Sequence, residues 1–170
     1  MTADAPDKNE NKIQLTRIAH VYYRYASQDI QAAHEFMQDF GFFHVKSVGP
    51  RTYYRGYGPE PFVLCVEEAA AEDHTNSSNT DNDSRPKTGT QFGGAAFAVA
   101  SLDELEKATR VLPPEARATS VYELKDAPGG GKCVSFWDPV DGFPFHLVWG
   151  QTLAEPIDLA LPEPKTNFVG

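Results

Sequence analysis

Residues 17–30 read RIAHVYYRYASQDI, an alternating run of aromatic and branched side chains that passes through an Ala-Ser pair into a helical pattern. The alternation is typical of a β-strand, and the apolar spacing after it predicts a helix. Residues 92–105, FGGAAFAVASLDEL, follow the same plan when Ala100-Ser101 is aligned with Ala26-Ser27. A repeated strand–helix unit predicts two modules of one kind within the chain.

Three short strands are predicted after each helix, so each module has the order β-α-β-β-β. Ser27 is the predicted N-cap of the first helix and Gly41 the residue that ends it. Ser101 and Glu104 form a predicted capping box at the start of the second helix.

A second alignment places PFVLCVE (61–67) on PFHLVWG (144–150) and completes the repeat. The first module spans residues 13–68 and the second spans residues 91–151. In the two alignments His20 falls on Gly94, and His146 falls on Val63. Each module therefore supplies one histidine, the first from its opening strand and the second from its closing strand.

The other segments are polar or rich in proline. Residues 1–12 and 69–90 have little to bury and are predicted to be a disordered N-terminus and a disordered linker. Residues 152–170 form a Pro-rich tail.

Composition excludes several classes of function. The 170-residue chain has a formal net charge of −9 and no basic stripe, which argues against nucleic acid or anionic membranes as partners. It has no apolar run long enough for a transmembrane helix, and its N-terminus lacks the apolar core of a secretory signal. Cys65 and Cys133 have no metal-type spacing, so we expect two reduced thiols in a cytoplasmic protein.

This arrangement resembles the vicinal oxygen chelate superfamily, which includes glyoxalase I, bleomycin-resistance proteins, fosfomycin-resistance enzymes and type I extradiol dioxygenases. Three features carry the resemblance: RIAHV (17–21), the helix that ends in Phe40-Gly41-Phe42, and the turn DPVDG (138–142) before the last strand. The GGAAF and DGFPFHLVWGQ segments look most like the N-terminal domain of fungal extradiol-dioxygenase-like proteins. The resemblance implies an α+β fold, in which two βαβββ modules form an open, cup-shaped, eight-stranded mixed sheet.

The resemblance also implies where a metal would bind, because this superfamily takes its ligands from the opening and closing strands of the modules. His20 matches an opening-strand ligand, and His146 stands where a glutamate is usual. Two imidazoles could bind Fe(II), Mn(II), Zn(II) or Ni(II), whereas catalytic iron and zinc sites normally use three protein ligands. The usual carboxylate is absent from this chain.

Two other interpretations of the histidines are open at this point. They could be acid–base groups without a metal, or buried polar groups that hydrogen-bond to nearby tyrosines. The predicted catalytic residues are His20, His146 and Tyr22. The aromatic residues with polar handles are the predicted ligand-binding residues: Tyr53, Tyr54, Trp137 and Trp149. The phenylalanines are predicted to build the core: Phe36, Phe40, Phe43, Phe97, Phe136 and Phe145.

The functional expectation is a glyoxalase- or dioxygenase-like protein that acts on or binds a small aromatic or oxygenated metabolite. If it is an enzyme, the resemblance implies a dioxygenase, lyase or isomerase. The alternatives are a non-catalytic ligand-binding protein, the structural module of a larger dioxygenase, or a metal-free cyclase or isomerase of secondary metabolism. A homodimer is expected because the sheet has open edges.

Overall fold

The computed structural model describes residues 12–69 and 90–158. The predicted disordered N-terminus and linker therefore lie outside the described residues except for Lys12, Ala69 and Thr90, and the tail is described only as far as Asp158. Within the described residues, no helix is both long enough and apolar enough to cross a membrane.

Each half of the chain forms one strand, one helix and three further strands, as the repeat predicts. The elements of the first half are β1 (Leu15–Tyr25), α1 (Ile30–Asp39), β2 (Phe43–Val48), β3 (Arg51–Arg55) and β4 (Leu64–Glu68). Those of the second half are β5 (Gln91–Val99), α2 (Leu102–Val111), β6 (Tyr122–Glu123), β7 (Lys132–Trp137) and β8 (Pro144–Trp149). A single 3-10 turn, Pro114–Ala116, follows α2.

The start of α1 differs from the prediction. Its N-cap is Asp29 rather than Ser27, because the backbone N–H of Asp29 bonds to the carbonyl of Ala26 and holds the intervening residues in a turn. At the other end Gly41 has a φ of 97°, and the N–H of Phe42 bonds back to the carbonyl of Met37. This is the Schellman geometry that the glycine predicts.

The start of α2 follows the prediction in part. The Ser101 hydroxyl accepts a hydrogen bond from the N–H of Glu104 at 3.3 Å. The Glu104 carboxylate does not return to Ser101 but accepts from the N–H of Gln14 at 2.8 Å, which fastens the entry of β1 to the helix.

All eight strands form one sheet in the order β2-β3-β4-β1-β5-β8-β7-β6, and the sheet curls into half of a barrel. The predicted α+β fold of two βαβββ modules is confirmed. The antiparallel β1–β5 pair joins the modules at its centre, where Val21 pairs with Ala95. The offset that aligns His20 with Gly94 also aligns Val21 with Ala95, so this pair lies on the pseudo-two-fold axis that relates the modules.

Both helices cover one face of the sheet. Leu105 and Ala108 of α2 pack on Val134 and Leu147, and Met37 of α1 packs with the corresponding cluster of the first module. The opposite face is the concave face, and Ala96, Ala98 and Cys133 lie at its centre.

The predicted core role is wrong for Phe36, Phe40 and Phe43. Phe36 and Phe40 are 59% and 69% exposed and stack on each other, whereas α1 buries Ala33 and Met37 instead. Phe43 is 36% exposed on β2, which is an edge strand.

Loops and the start of the tail cover part of the concave face. Phe62, just before β4, is fully buried there with Tyr53, Cys65 and Ala127. The tail crosses the loop that carries Phe62: the N–H groups of Ala154 and Ile157 bond to the carbonyls of Pro59 and Tyr57, each at 2.8 Å. The concave face is therefore partly filled by the chain itself.

Candidate functional site

The structure brings the two predicted histidines to the same rung of the concave face. His20 pairs with Ala96 across β1–β5, and Ala96 pairs with His146 across β5–β8. The Tyr22 ring lies between the imidazoles, with its centroid 5.0 Å from that of His20 and 4.9 Å from that of His146. The predicted catalytic residues His20, Tyr22 and His146 therefore form one cluster, although their catalytic role stays a prediction.

Both ring nitrogens of His146 are hydrogen-bonded within the chain. Nε2 lies 3.1 Å from the carbonyl oxygen of Gly93, and Nδ1 lies 2.7 Å from the hydroxyl of Ser135. Because a carbonyl can only accept, Nε2 carries the proton, and Nδ1 accepts from Ser135. Burial lowers the pKa of His146; the bond to Gly93 opposes this, and the charge of Arg51 adds to it. His146 is thus neutral near pH 7 with both polar atoms satisfied.

The ring of His146 also fills the position of a missing side chain. A Cβ placed on Gly94 would lie 2.5 Å from Nε2 of His146, closer than real Cβ atoms approach. Gly94 has a φ of 121°, which glycine adopts far more readily than other residues. Gly94 is the counterpart of His20 in the repeat, so the imidazole of His146 takes the space that a side chain at this position of the second module would need.

His20 is the more deeply enclosed histidine. It is 2% exposed, its Nε2 lies 2.9 Å from the hydroxyl of Tyr22, and Phe62 packs on its ring at 4.1 Å. Its Nδ1 is buried and has no hydrogen-bond partner among the described residues. Burial, with a contribution from His146, lowers the pKa of His20 to about 3. Burial also raises the pKa of Tyr22, so both groups are neutral near pH 7.

A chain of hydroxyl groups leads from His146 towards the surface. The Tyr122 hydroxyl lies 2.8 Å from that of Ser135, and because Ser135 donates to His146, Tyr122 donates to Ser135. Tyr122 is 39% exposed, and burial raises its pKa to about 12. The sequence did not predict Ser135 and Tyr122 as site residues. Ser135 lies beside His146 because the two are ladder partners across β7 and β8, and the alternation within β7 alone does not indicate that register.

The predicted ligand-binding aromatics are spread over the molecule. Tyr53 packs with Phe62 on the concave face, whereas its neighbour Tyr54 lies on the helix face and its hydroxyl is 2.6 Å from Nδ1 of His34. Trp137 lies under the guanidinium of Arg117 at 5.6 Å. The ligand-binding role of these side chains stays a prediction.

Trp149, another predicted ligand-binding residue, is 37% exposed. It lines two surface cavities, of about 330 and 240 Å³. Glu123, Lys125 and Lys132 also line the first, and Arg17 and Gln151 also line the second. Neither set of lining residues contains His20, Tyr22 or His146.

The predicted equivalence of His146 and Val63 is wrong by two residues. Tyr22 pairs with Cys65, and Ala96, which the repeat aligns with Tyr22, pairs with His146. The closing-strand position of the first module is therefore Cys65, which is fully buried. Burial raises the pKa of this thiol to about 12, so it is not a thiolate near pH 7.

The donor set does not complete a catalytic metal site within the described residues. Among residues 12–69 and 90–158 there is no group of three or more His, Cys, Asp or Glu side chains that could hold a metal ion. His146 has no lone pair to offer, because Nδ1 accepts from Ser135 and Nε2 is protonated. Considering partners in residues 12–69 and 90–158, Nδ1 of His20 is the imidazole nitrogen of the pair that has no hydrogen bond, and a catalytic site needs three protein ligands.

Comparisons with known proteins agree with this architecture. No family model and no curated protein matches the sequence. The Mn(II)-bound glyoxalase from Novosphingobium aromaticivorans superposes with a TM-score of 0.65 and 21% identity, over 88% of this chain and 44% of that chain. Homoprotocatechuate 2,3-dioxygenase from Brevibacterium fuscum, in complex with 3,4-dihydroxyphenylacetate, superposes with a TM-score of 0.62 and 17% identity, over 85% of this chain and 40% of that chain. The chain thus has the vicinal oxygen chelate fold and spans less than half of each of these structures.

Proposed function

We propose that this chain is a metal-independent, small-molecule-binding domain of the vicinal oxygen chelate fold, with the concave face as its ligand surface. The observation that carries the proposal is the internal use of His146, whose two nitrogens bond to Ser135 and Gly93. A metal would have to break the Ser135 bond and recruit donors from outside the described residues. The small aromatic or oxygenated metabolite expected from the sequence fits the aromatic and hydroxyl groups on this face, and the dioxygenase neighbour is described with an oxygenated aromatic acid.

Titration with metal tests the first half of this proposal. We expect isothermal titration calorimetry with Mn(II), Zn(II), Ni(II) and anaerobic Fe(II) to show no stoichiometric binding that depends on the two histidines. His20→Ala and His146→Ala are the variants, and His44→Ala is the matched control because His44 is exposed on β2. Stoichiometric binding that is lost in both His20→Ala and His146→Ala, but kept in His44→Ala, would refute metal independence.

One observation supports a second function, metal-free acid–base catalysis. The relay Tyr122–Ser135–His146 links a partly exposed hydroxyl to a half-buried imidazole through two short hydrogen bonds, and such a relay can transfer protons. The lowered pKa of His146 and the raised pKa of Tyr122 hold both ends in their neutral forms near pH 7. Ser135→Ala would break this hydrogen-bonded relay. A catalytic rate that is the same in Ser135→Ala and in the unsubstituted protein would therefore exclude the relay.

A further inference from the structure

Two arginines on the concave face form ion pairs with the same carboxylate, that of Glu67. Glu67 on β4 lies 2.9 Å from Arg24 on β1 and 2.6 Å from Arg51 on β3. Strand register fixes the arrangement, since Glu67 is the ladder partner of both arginines. The carboxylate side chain is 18% exposed, whereas the two guanidinium side chains are 49% and 50% exposed. The least exposed member is thus the anion, and both cations are about half exposed.

The charges of this triad do not balance. Two guanidinium groups and one carboxylate leave one positive charge, in a chain whose formal net charge is −9. Burial acts to raise the pKa of Glu67, but its bonds and charge interactions with Arg51 and Arg24 outweigh burial and hold that pKa below its usual value. Glu67 therefore stays ionised and cannot compensate both arginines.

The triad adjoins the cluster of tyrosines and histidines. Along β1, Arg24 lies two residues from Tyr22 and on the same face; along β3, Arg51 lies two residues from Tyr53 and on the same face. The positive charge of Arg51 also extends its effect to the second module, where it acts to lower the pKa of Tyr122 and of His146. Asp126 is a carboxylate on this side that acts on Tyr53.

We infer that Arg24 and Arg51 form the anchoring site for a small organic carboxylate, whose remaining part lies on the concave side of the sheet. The inference rests on the proposed function, that this face binds a small molecule. Guanidinium groups match carboxylates in geometry and form charge-assisted hydrogen bonds with them. The bond from Arg51 to Glu67 uses Nε, and Arg51 also hydrogen-bonds with Tyr53, which opposes the burial that raises the pKa of that hydroxyl. Because the Arg51 side chain is 50% exposed, its outer side can take a second carboxylate without releasing Glu67.

Benzoate and benzamide are the probes, because they have the same ring and nearly the same shape but differ in charge. We expect NMR-monitored titrations to show that benzamide binds at least about tenfold more weakly than benzoate. Benzamide lacks the negative charge that strengthens hydrogen bonds from guanidinium groups. Arg51→Gln and Arg24→Gln should each weaken benzoate binding by about tenfold and leave benzamide unchanged. High ionic strength should weaken benzoate in the same selective way.

Arg110→Gln is the control, because Arg110 carries the same charge and is exposed in the last turn of α2, on the opposite face of the sheet. It should leave benzoate affinity within about twofold of the unsubstituted chain. Equal binding of benzoate and benzamide, or unchanged benzoate binding in both Arg51→Gln and Arg24→Gln, overturns the arginine site and leaves small-molecule binding intact. Binding of neither probe overturns both. Urea unfolding of each variant, done in parallel, separates a lost site from a lost fold.

Discussion

Gly94→Ala is expected to destabilise the folded chain because the new Cβ would collide with the ring of His146. The new Cβ would lie 2.5 Å from Nε2 of His146 and 2.9 Å from the carbonyl oxygen of Pro144. Overpacking of this kind costs about 1–3 kcal/mol, and the φ of 121° adds strain of about 1–2 kcal/mol for an L-residue. The free energy of unfolding should therefore fall by roughly 2–5 kcal/mol.

A double-mutant cycle with His146→Ala separates the contact from the strain. His146→Ala alone removes a half-buried ring and two hydrogen bonds, so it should cost about 1–3 kcal/mol. In the double variant the ring contact is gone, so the part of the overpacking cost that comes from the His146 ring, about 1–2 kcal/mol, should be recovered. The contact with Pro144 and the strain remain.

Urea unfolding followed by tryptophan fluorescence measures all four corners of the cycle. Gly49→Ala is the control, because Gly49 also has a positive φ, of 56°, but a Cβ there meets no atom within 4 Å; its cost should be about 1 kcal/mol. Additivity of Gly94→Ala and His146→Ala within about 0.5 kcal/mol would refute the claim that the His146 ring fills the place of a residue-94 side chain.

Three further predictions concern stability. The pKa of His20 is about 3 in the folded chain and near 6.5 in an unfolded one. The free energy of unfolding should therefore be highest above about pH 6.5 and fall by about 1.4 kcal/mol for each pH unit below that, down to about pH 3. In urea unfolding at several pH values, His20→Gln should reduce this pH dependence. Phe62→Ala removes the fully buried ring on His20 and should cost about 3–5 kcal/mol, whereas Phe40→Ala, at a site 69% exposed, should stay near about 0.5 kcal/mol. Ser101→Ala removes the cap of α2 and should lower the thermal stability by about 1 kcal/mol.

Local pattern predicted much of the fold. The Ala-Ser pairs and the strand–helix alternation predict two modules, and the β1–β5 ladder has the offset that those pairs indicate. The alignment of the closing strands was wrong by two residues because the Pro-Phe pairs at 61–62 and 144–145 look alike but lie in different structures: Phe62 precedes β4 and packs on His20, while Phe145 lies within β8.

The candidate site could be predicted only in part. Strand alternation places His20 and Tyr22 on one face, but it does not say which face is concave or which residues of distant strands lie beside them. Ser135, Tyr122 and Arg51 owe their positions to the order of strands in the sheet, which a single sequence does not specify. Phe36 and Phe40 have helical spacing, yet that spacing does not distinguish the face of α1 that packs from the face that stays exposed.

The protonation state of His146 tests the central claim most directly. In a long-range ¹H–¹⁵N NMR spectrum of the labelled chain, recorded before and after addition of Zn(II), we predict a neutral imidazole with its proton on Nε2. Its nitrogen shifts should be unchanged by Zn(II) because Ser135 and Gly93 occupy both nitrogens. A proton on Nδ1, or a Zn(II)-dependent shift of either ring nitrogen of His146, would contradict the internal hydrogen-bond network on which metal independence rests.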